Sequence, residues 1–412
     1  MTNTLAIDFG TSNSAAAILV DGAIRRIEIA RGEETLPTAV FFAARGGQMQ
    51  IGQDAVEALI AGDEGRFMRA LKSILGTSLF HESRLIGGKR RTLAEIVTAF
   101  LATLKTRAEA ATGHSFTRAL SGRPVHFHSS DPERDARAEE DLRACYLAAG
   151  FETVDFMFEP EAAALAAHSL GKAGETGLIV DIGGGTSDFS IFRTDAGRVT
   201  ILASHGLRLG GTDFDHAVSM AHAMPLLGHG GELRRTFGEG LLPVPNAVYA
   251  ELSTWAKIPF LYNRDTTRLV EDMVKHAVEP VKMARLATVL DLELGHELAF
   301  SVEKGKIAAN SNGAAQNIDM SFIERGLAAP ISTDSLDAAL AAYRQDLHRA
   351  IIETLALAEV APGDIGRIIL VGGSSLMALV AEAARAACPE AEVSLSEAFT
   401  AVVDGLALAA AA

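Results

Sequence analysis

The chain has 412 residues, 48% hydrophobic and 22% charged, which is enough apolar material for two domains with full cores. Its 37 basic against 52 acidic residues leave a net charge of −15, arguing against nucleic acid or an anionic membrane surface as partner. Cys145 and Cys388 both sit in Ala-rich helical runs without Cys-x-x-Cys spacing, so buried thiols are expected, not a disulfide or metal site.

Residues 4–20 and 23–30 read as strands of a meander joined by Asp21-Gly22, a hairpin turn signal. With a strand beginning at Leu5 there is no room for a signal peptide, and no run of about 18 apolar residues predicts a membrane span. A cytoplasmic protein is expected. The opening stretch Leu5-Ala6-Ile7-Asp8-Phe9-Gly10-Thr11-Ser12-Asn13-Ser14 sets an apolar strand, a carboxylate, a glycine and small polar residues in that order. A Pro-containing segment, residues 33–38, leads into a strand at 39–42. Lys72 lies in residues 66–76, where a surface lysine on a helix would give the same pattern. Leu93, Ile96, Val97, Phe100, Leu101 and Leu104 have helical spacing and predict one helix over 92–112.

Residues 122–127 predict a strand, and His126 and His128 share one strand face without a third metal ligand, as ordinary strand residues do. Asp131 caps the next helix with Pro132 at its first position; that helix runs to Ala149 and stops at Gly150. Pro160 starts a further helix, leaving Glu159 as a carboxylate at its entrance, suited either to capping or to chemistry.

The pattern of the N-terminus returns more strongly at Leu178-Ile179-Val180-Asp181-Ile182-Gly183-Gly184-Gly185-Thr186-Ser187-Asp188. An apolar strand ends at Asp181, three glycines bend, and a second strand leaves from Thr186. Three residues without Cβ let the backbone turn its N–H groups toward an anion, a nest that suits phosphate oxygens. Carboxylates at Asp181 and Asp188 would repel such a ligand unless a cation lay between, and Mg²⁺ accepts one or two carboxylates with phosphates while keeping its waters. A weaker third copy, Ile368-Ile369-Leu370-Val371-Gly372-Gly373-Ser374-Ser375, has Val371 in the Asp position. Two Asp-x-Gly hairpins suggest a duplicated nucleotide-binding lobe with phosphates clamped between the copies.

In Leu207-Arg208-Leu209-Gly210-Gly211-Thr212-Asp213-Phe214-Asp215, two glycines before a helix form a second anion site, and Asp213 reads as a helix cap. Residues 225–246, rich in Gly and Pro, predict a loop; 247–310 are mainly helical, with Trp255 in the core or at an interface. His222 and His229 carry no recognisable constellation. Glu303 and Lys306 share a helix face. The C-terminal order is helix 334–359, strand 367–371 and helix 375–388.

These motifs, in this order, resemble the ATPase domain of the DnaK-type heat-shock chaperones, within the actin and sugar-kinase superfamily. The resemblance implies an α/β, two-lobed actin-like ATPase fold of duplicated ribonuclease-H-like domains with an interlobe nucleotide cleft. Lobe I would comprise residues 1–172 with a C-terminal helix, 396–412, returning to it, and lobe II residues 173–395. By the same resemblance ATP or ADP and Mg²⁺ are the cofactors. Asp8 and Asp181 would hold Mg²⁺; Gly10, Thr11, Ser12, Asn13, Gly183, Gly184, Gly185 and Thr186 would cradle the phosphates, with Gly210 and Gly211 closing over them. Lys72 would balance charge on the γ-phosphoryl group, and Glu159 and Asp188 would orient the attacking water. Glu303 and Lys306, with Gly372, Gly373 and Ser374, match the family's adenosine contacts, and Asn310 stands where the family has a serine. Ile307 replaces an arginine that would stack on adenine, which puts base affinity in question.

The function implied is slow ATP hydrolysis serving a chaperone or nucleotide-dependent switch that lacks a peptide-binding domain. Its partners would be ATP and a client, co-chaperone or exchange factor. A sugar-type kinase of the same superfamily and a nucleotide-gated interaction protein with negligible turnover are the competing expectations.

Overall fold

The computed structural model describes residues 3–30, 32–44, 46, 48–128, 130–166, 174–195, 198–236, 238–312, 315–395 and 400–410. Tertiary contacts divide the chain into two compact units, residues 1–211 with 344–412, and residues 212–343. The lobe boundaries expected at 172/173 and 395/396 adjoin residues outside those described.

The two largest sheets of the first unit are built to one plan. In the first, β1 (Thr4–Phe9), β2 (Asn13–Val20) and β3 (Ala23–Arg26) form an antiparallel meander, and β4 (Thr35–Pro37) adds to β2. The β2–β3 turn is Asp21-Gly22, both at positive φ (51° and 81°), as a two-residue hairpin requires. β5 (Arg118–Arg123) pairs parallel with β1, and β6 (Thr153–Phe158) parallel with β5. The second sheet repeats this with β7 (Thr176–Ile182), β8 (Ser187–Asp195) and β9 (Arg198–Leu207) as the meander. β10 (Arg367–Val371) is parallel to β7, and β11 (Glu392–Leu395) to β10. Numbered within each copy, the strand order is 5-4-1-2-3 both times. Every residue of β7 is buried, as expected of a central strand covered on both faces.

Helices cover these sheets where their ends are well signalled. α1 (Leu93–Thr112) opens with a capping box between Thr92 and Glu95 and stops at Gly113, φ 70°. α2 (Pro132–Ala148) begins with the Asp131 side chain accepting from Arg134 N (3.0 Å), as its sequence predicts. α3 (Glu159–Ala166) follows β6 directly. In the second unit, α4 (Gly211–Val218) leads into short helices and α5 (Gly295–Asn312). Back in the first unit, α6 (Ala378–Ala387) follows β10, and α7 (Ala401–Ala409) packs on α3, β1 and β2. There Gly405 lies so close to Ala162 O that a Cβ would overlap it. Asp404 on α7 receives a fork from Arg26 of β3, Nε at 2.9 Å and Nη2 at 2.7 Å, which ties the last helix to the first sheet.

Three expectations change. Residues 225–246 are not all loop: Glu232–Arg234 and Leu241–Pro243 pair as a hairpin, because Leu233 and Leu242 face each other across it. The strand expected over 122–127 ends at Arg123, where Pro124 removes a ladder donor. His126 and His128 therefore lie beyond it. The helix expected from 375 begins at Ala378, after a 3₁₀ turn at Gly373–Leu376. Cys145 and Cys388 are buried free thiols.

Candidate active site

The two Asp-x-Gly turns occupy equivalent corners of the two sheets. Asp8, next to last in β1, lies opposite Ala15, and Asp181, next to last in β7, lies opposite Asp188. Val371, the residue in the Asp position of the third copy, pairs with Asp181.

Glycine at these corners is a steric requirement. A Cβ on Gly10 would overlap Asn13 O, and one on Gly184 would overlap Ser12 Oγ while lying 3.1 Å from Thr11 Cβ. One on Gly185 would come within 3.2 Å of Thr11 Oγ1. The tips of the two hairpins thus meet at Thr11-Ser12 and Gly184-Gly185. Two further segments join them. Gly210 lies against the Gly184-Gly185 peptide. Gly211 N donates to Gly183 O (3.0 Å), and a Cβ on Gly211 would overlap Ser374 Oγ. Gly183 N in turn donates to Thr186 O (3.0 Å), and Gly372 (φ 82°) lies against Ile182 O and Asp181. Four segments distant in the chain therefore converge, with glycines making room for the Thr11, Ser12 and Ser374 side chains and leaving backbone amides that can approach an anion.

Beside the glycines lies a group of carboxylates with one lysine. Lys72 is 5% exposed, in a 3₁₀ turn over Leu71–Ile74, and its Nζ is 2.5 Å from Glu159 Oε1. That burial sets aside a surface lysine on a helix. Glu159 is the first residue of α3, and Gly122 leaves room for it: a Cβ there would be 3.2 Å from Glu159 Cγ. Asp188 Oδ1 accepts from Val125 N at 2.6 Å. Burial pushes the Asp8 carboxyl up to about 7, helped by the charge of Glu159 and opposed by Lys72. Burial, then Glu159 and Asp8, hold Asp181 well above the usual carboxylate range. Burial, then Glu159 and Asp181, do the same for Asp188 against the Val125 amide and Lys72. Burial alone would lower the Lys72 pKa, but the surrounding charges of Glu159, Asp8 and Asp188 outweigh it and raise it.

Four carboxylates about one ammonium are short of positive charge, and a divalent cation fits that deficit. Among the described residues no three His, Cys, Asp or Glu side chains group closely enough to hold an ion directly. Asp8 and Asp181 suit an ion held through its waters, the habit of Mg²⁺. The glycine surface and this donor set fit a nucleotide phosphate with Mg²⁺.

In the second unit, Glu303 and Lys306 both lie on α5, one turn apart. Lys306 is buried, with its Nζ 2.6 Å from Asp215 Oδ1, while Trp255 Nε1 donates to Asp215 Oδ2 at 3.0 Å. Trp255 is core, edge-on to Phe300 at 5.0 Å. Ile307 is 53% exposed. The Asp215–Lys306 pair, the Val125 amide on Asp188 and the gap at Gly122 were missed from the sequence. Only the Asp-Phe-Asp spacing after Gly210-Gly211 carried a trace of the first.

Two copies of a 5-4-1-2-3 sheet with an Asp-x-Gly turn at the same corner define the actin-like ATPase fold. A family model described as Hsp70 protein matches residues 4–225, and the chain belongs to the Hsp70 family. It is similar to the chaperone protein DnaK of Thermotoga petrophila and to that of Thermotoga maritima. Each is 30% identical over 380 residues, covering 91% of this chain and 53% of the relative. The chain thus spans about half the length of the curated relatives it matches. Among the described residues no helix is long and apolar enough to cross a membrane.

Proposed function

We propose that the chain binds ATP with Mg²⁺ and hydrolyses it slowly, as a nucleotide-dependent switch in a chaperone-type system. The observation that carries this reading is the buried Lys72–Glu159 pair beside Asp8, Asp181 and Asp188. Burying one ammonium among four carboxylates costs stability, which structural packing alone would not favour. Residues 1–172 with 396–412, and 173–395, would act as the two lobes, each carrying one sheet.

Bound Mg²⁺ would supply charge neutralisation for the phosphates. Asp8 and Asp181 would hold it through its waters. The amides of Gly184 and Gly185, with Thr11 and Ser12, bind phosphate oxygens; Gly10 and Asn13 shape the first hairpin, and Gly183, whose N–H is given to Thr186 O, shapes the second with Thr186. Gly210 and Gly211 close the phosphate side, and Gly372, Gly373 and Ser374 border it. Lys72 offsets charge that grows on the transferred phosphoryl group. Glu159 and Asp188 position a water, and burial raises the proton affinity of the Asp188 carboxylate, which suits it to accept the water's proton. Glu303 and Asn310 are proposed as nucleoside contacts. Lys306 joins them only through the N–H donors left beyond Asp215, since an ammonium has three. A client, a co-chaperone and an exchange factor are the partners this proposal calls for, in the cytoplasm where ATP is at hand.

The test is a single-turnover measurement of phosphate release with Mg²⁺ and ATP alone, repeated with glycerol and a hexose. Release without an acceptor supports the switch. A phosphorylated sugar or glycerol would instead identify a kinase, and tight binding without release would identify a nucleotide-gated interaction protein.

A further inference from the structure

The turn that carries Lys72 is met by two other stretches of chain, one holding His128 and Arg134 and the other Arg208. Arg208, just after β9, donates from Nη2 to Ser73 O at 3.2 Å. His128 Nε2 is 2.7 Å from Leu75 O, so that nitrogen carries the hydrogen. Gly76 lies against the main-chain oxygen of Arg134, in the first turn of α2, so closely that a Cβ would overlap it. Residues 73–76 therefore hold the Arg208 guanidinium and the His128 ring by hydrogen bonds and meet Arg134 through its main chain, with the Arg134 charge near enough to act on the ring.

These charges oppose one another. Burial, then the charge of Arg208, lowers the Arg134 pKa, and burial with both arginines lowers that of His128 against its Leu75 bond and Asp135. Asp131 and Asp135 offset part of this, raising the pKa of Arg134 and His128 respectively, while their oxygens also serve other groups. Asp131 Oδ1 accepts from Arg134 N (3.0 Å) as the α2 cap. Asp135 Oδ1 accepts from His128 N (3.0 Å), while its Oδ2 faces Arg123 at 3.5 Å and His126 at 3.6 Å. Arg134 Nε is out of solvent and has no hydrogen-bond partner among the described residues. A buried guanidinium N–H without an acceptor, beside a second guanidinium, is costly, and an anion would relieve both the repulsion and the missing bond.

We propose that Arg134, Arg208 and His128, arrayed on residues 73–76, form a binding site for a tetrahedral oxyanion, of which inorganic phosphate is the member tested. Guanidiniums bind such an ion through paired N–H donors, and His128 adds positive charge when protonated. The site needs no nucleotide, so it stands apart from the hydrolysis proposed above. If hydrolysis holds, the phosphate is its product, because Lys72 opens the same turn.

The experiment follows the arginine Nε–H resonances of the full chain, labelled with ¹⁵N-arginine, during titration with inorganic phosphate. Chloride at matched ionic strength is the control, and the titration is repeated with a non-hydrolysable ATP analogue and Mg²⁺. Arg134 and Arg208 signals are assigned by their loss in Arg134→Gln and Arg208→Gln. Saturable shifts of both signals, retained with the analogue bound and absent with chloride, are expected, as is at least tenfold weaker phosphate binding in each variant. Unmoved signals in the unsubstituted chain, equal shifts with chloride, or abolition by the analogue would overturn the site; the last would place the phosphate in the glycine hairpins. If the analogue itself fails to bind while the arginine shifts persist, this site stands and the nucleotide reading falls.

Discussion

The two sheets share strand order and corner geometry, yet their corners have diverged. The first presents Asp8 and one glycine followed by Thr11, Ser12 and Asn13, so side chains line its tip. The second presents Asp181, three glycines and Asp188, so its tip is backbone alone. The contact between them explains the division: Thr11 and Ser12 occupy the space that side chains on Gly184 and Gly185 would need. One copy supplies hydroxyls and the other supplies room. Lys72 and Glu159 both come from the first copy's surroundings and Asp188 from the second, so neither sheet holds the proposed chemistry by itself.

That comparison is broken most severely by removing what the first copy contributes to hydrolysis. Lys72→Ala and Glu159→Ala are expected to lower the single-turnover rate roughly 10²-fold or more while ATP affinity stays within about tenfold, because both act on the transition state. Melting temperature measured on the same proteins separates this from capping: a Glu159→Ala protein that melts lower but hydrolyses ATP normally would make Glu159 a cap. Next in size is Gly184→Ala, which sets a methyl group against Ser12. A loss of about 1–3 kcal/mol in stability is expected, together with loss of the ATP-dependent rise in melting temperature. Gly183→Ala, whose added Cβ would meet only Thr186 O at 3.8 Å, should be far milder, and equal effects at both positions would refute the contact as cause.

The carboxylates make a prediction about pH. The Asp8 pKa is raised from 3.8 to about 7, so the folded protein binds the extra proton in that window. Stability without divalent cation therefore falls as pH climbs from about 4 to about 7 on account of this group. Asp8→Asn should melt higher than the unsubstituted protein at pH 8 without metal and lose that advantage at pH 4. An advantage independent of pH would rule out the burial of charge as its source. The smallest effect belongs to one hydroxyl of the first hairpin: Ser12→Ala should weaken ATP binding by about 1 kcal/mol, roughly fivefold, in a titration with Mg²⁺ present. An unchanged affinity would leave the second hairpin as the whole phosphate site.

The sequence by itself determined the local decisions. Turn residues at Asp21-Gly22, the Thr92 and Asp131 caps and the apolar strands that carry Asp8 and Asp181 next to their last residues all act within a few residues, where propensity and periodicity are decisive. The duplication was legible because both corners kept the same Asp-x-Gly spacing. What only the tertiary structure decided is which distant groups meet. Lys72 reads the same whether exposed or buried, and its position against Glu159, 87 residues away, depends on how the 3₁₀ turn and α3 pack. The same holds for Lys306 with Asp215, for Arg26 with Asp404 and for the gathering of Arg208, His128 and Arg134. Charges act through space at a few ångströms, and chain separation carries no information about that distance until the sheets and helices are in place.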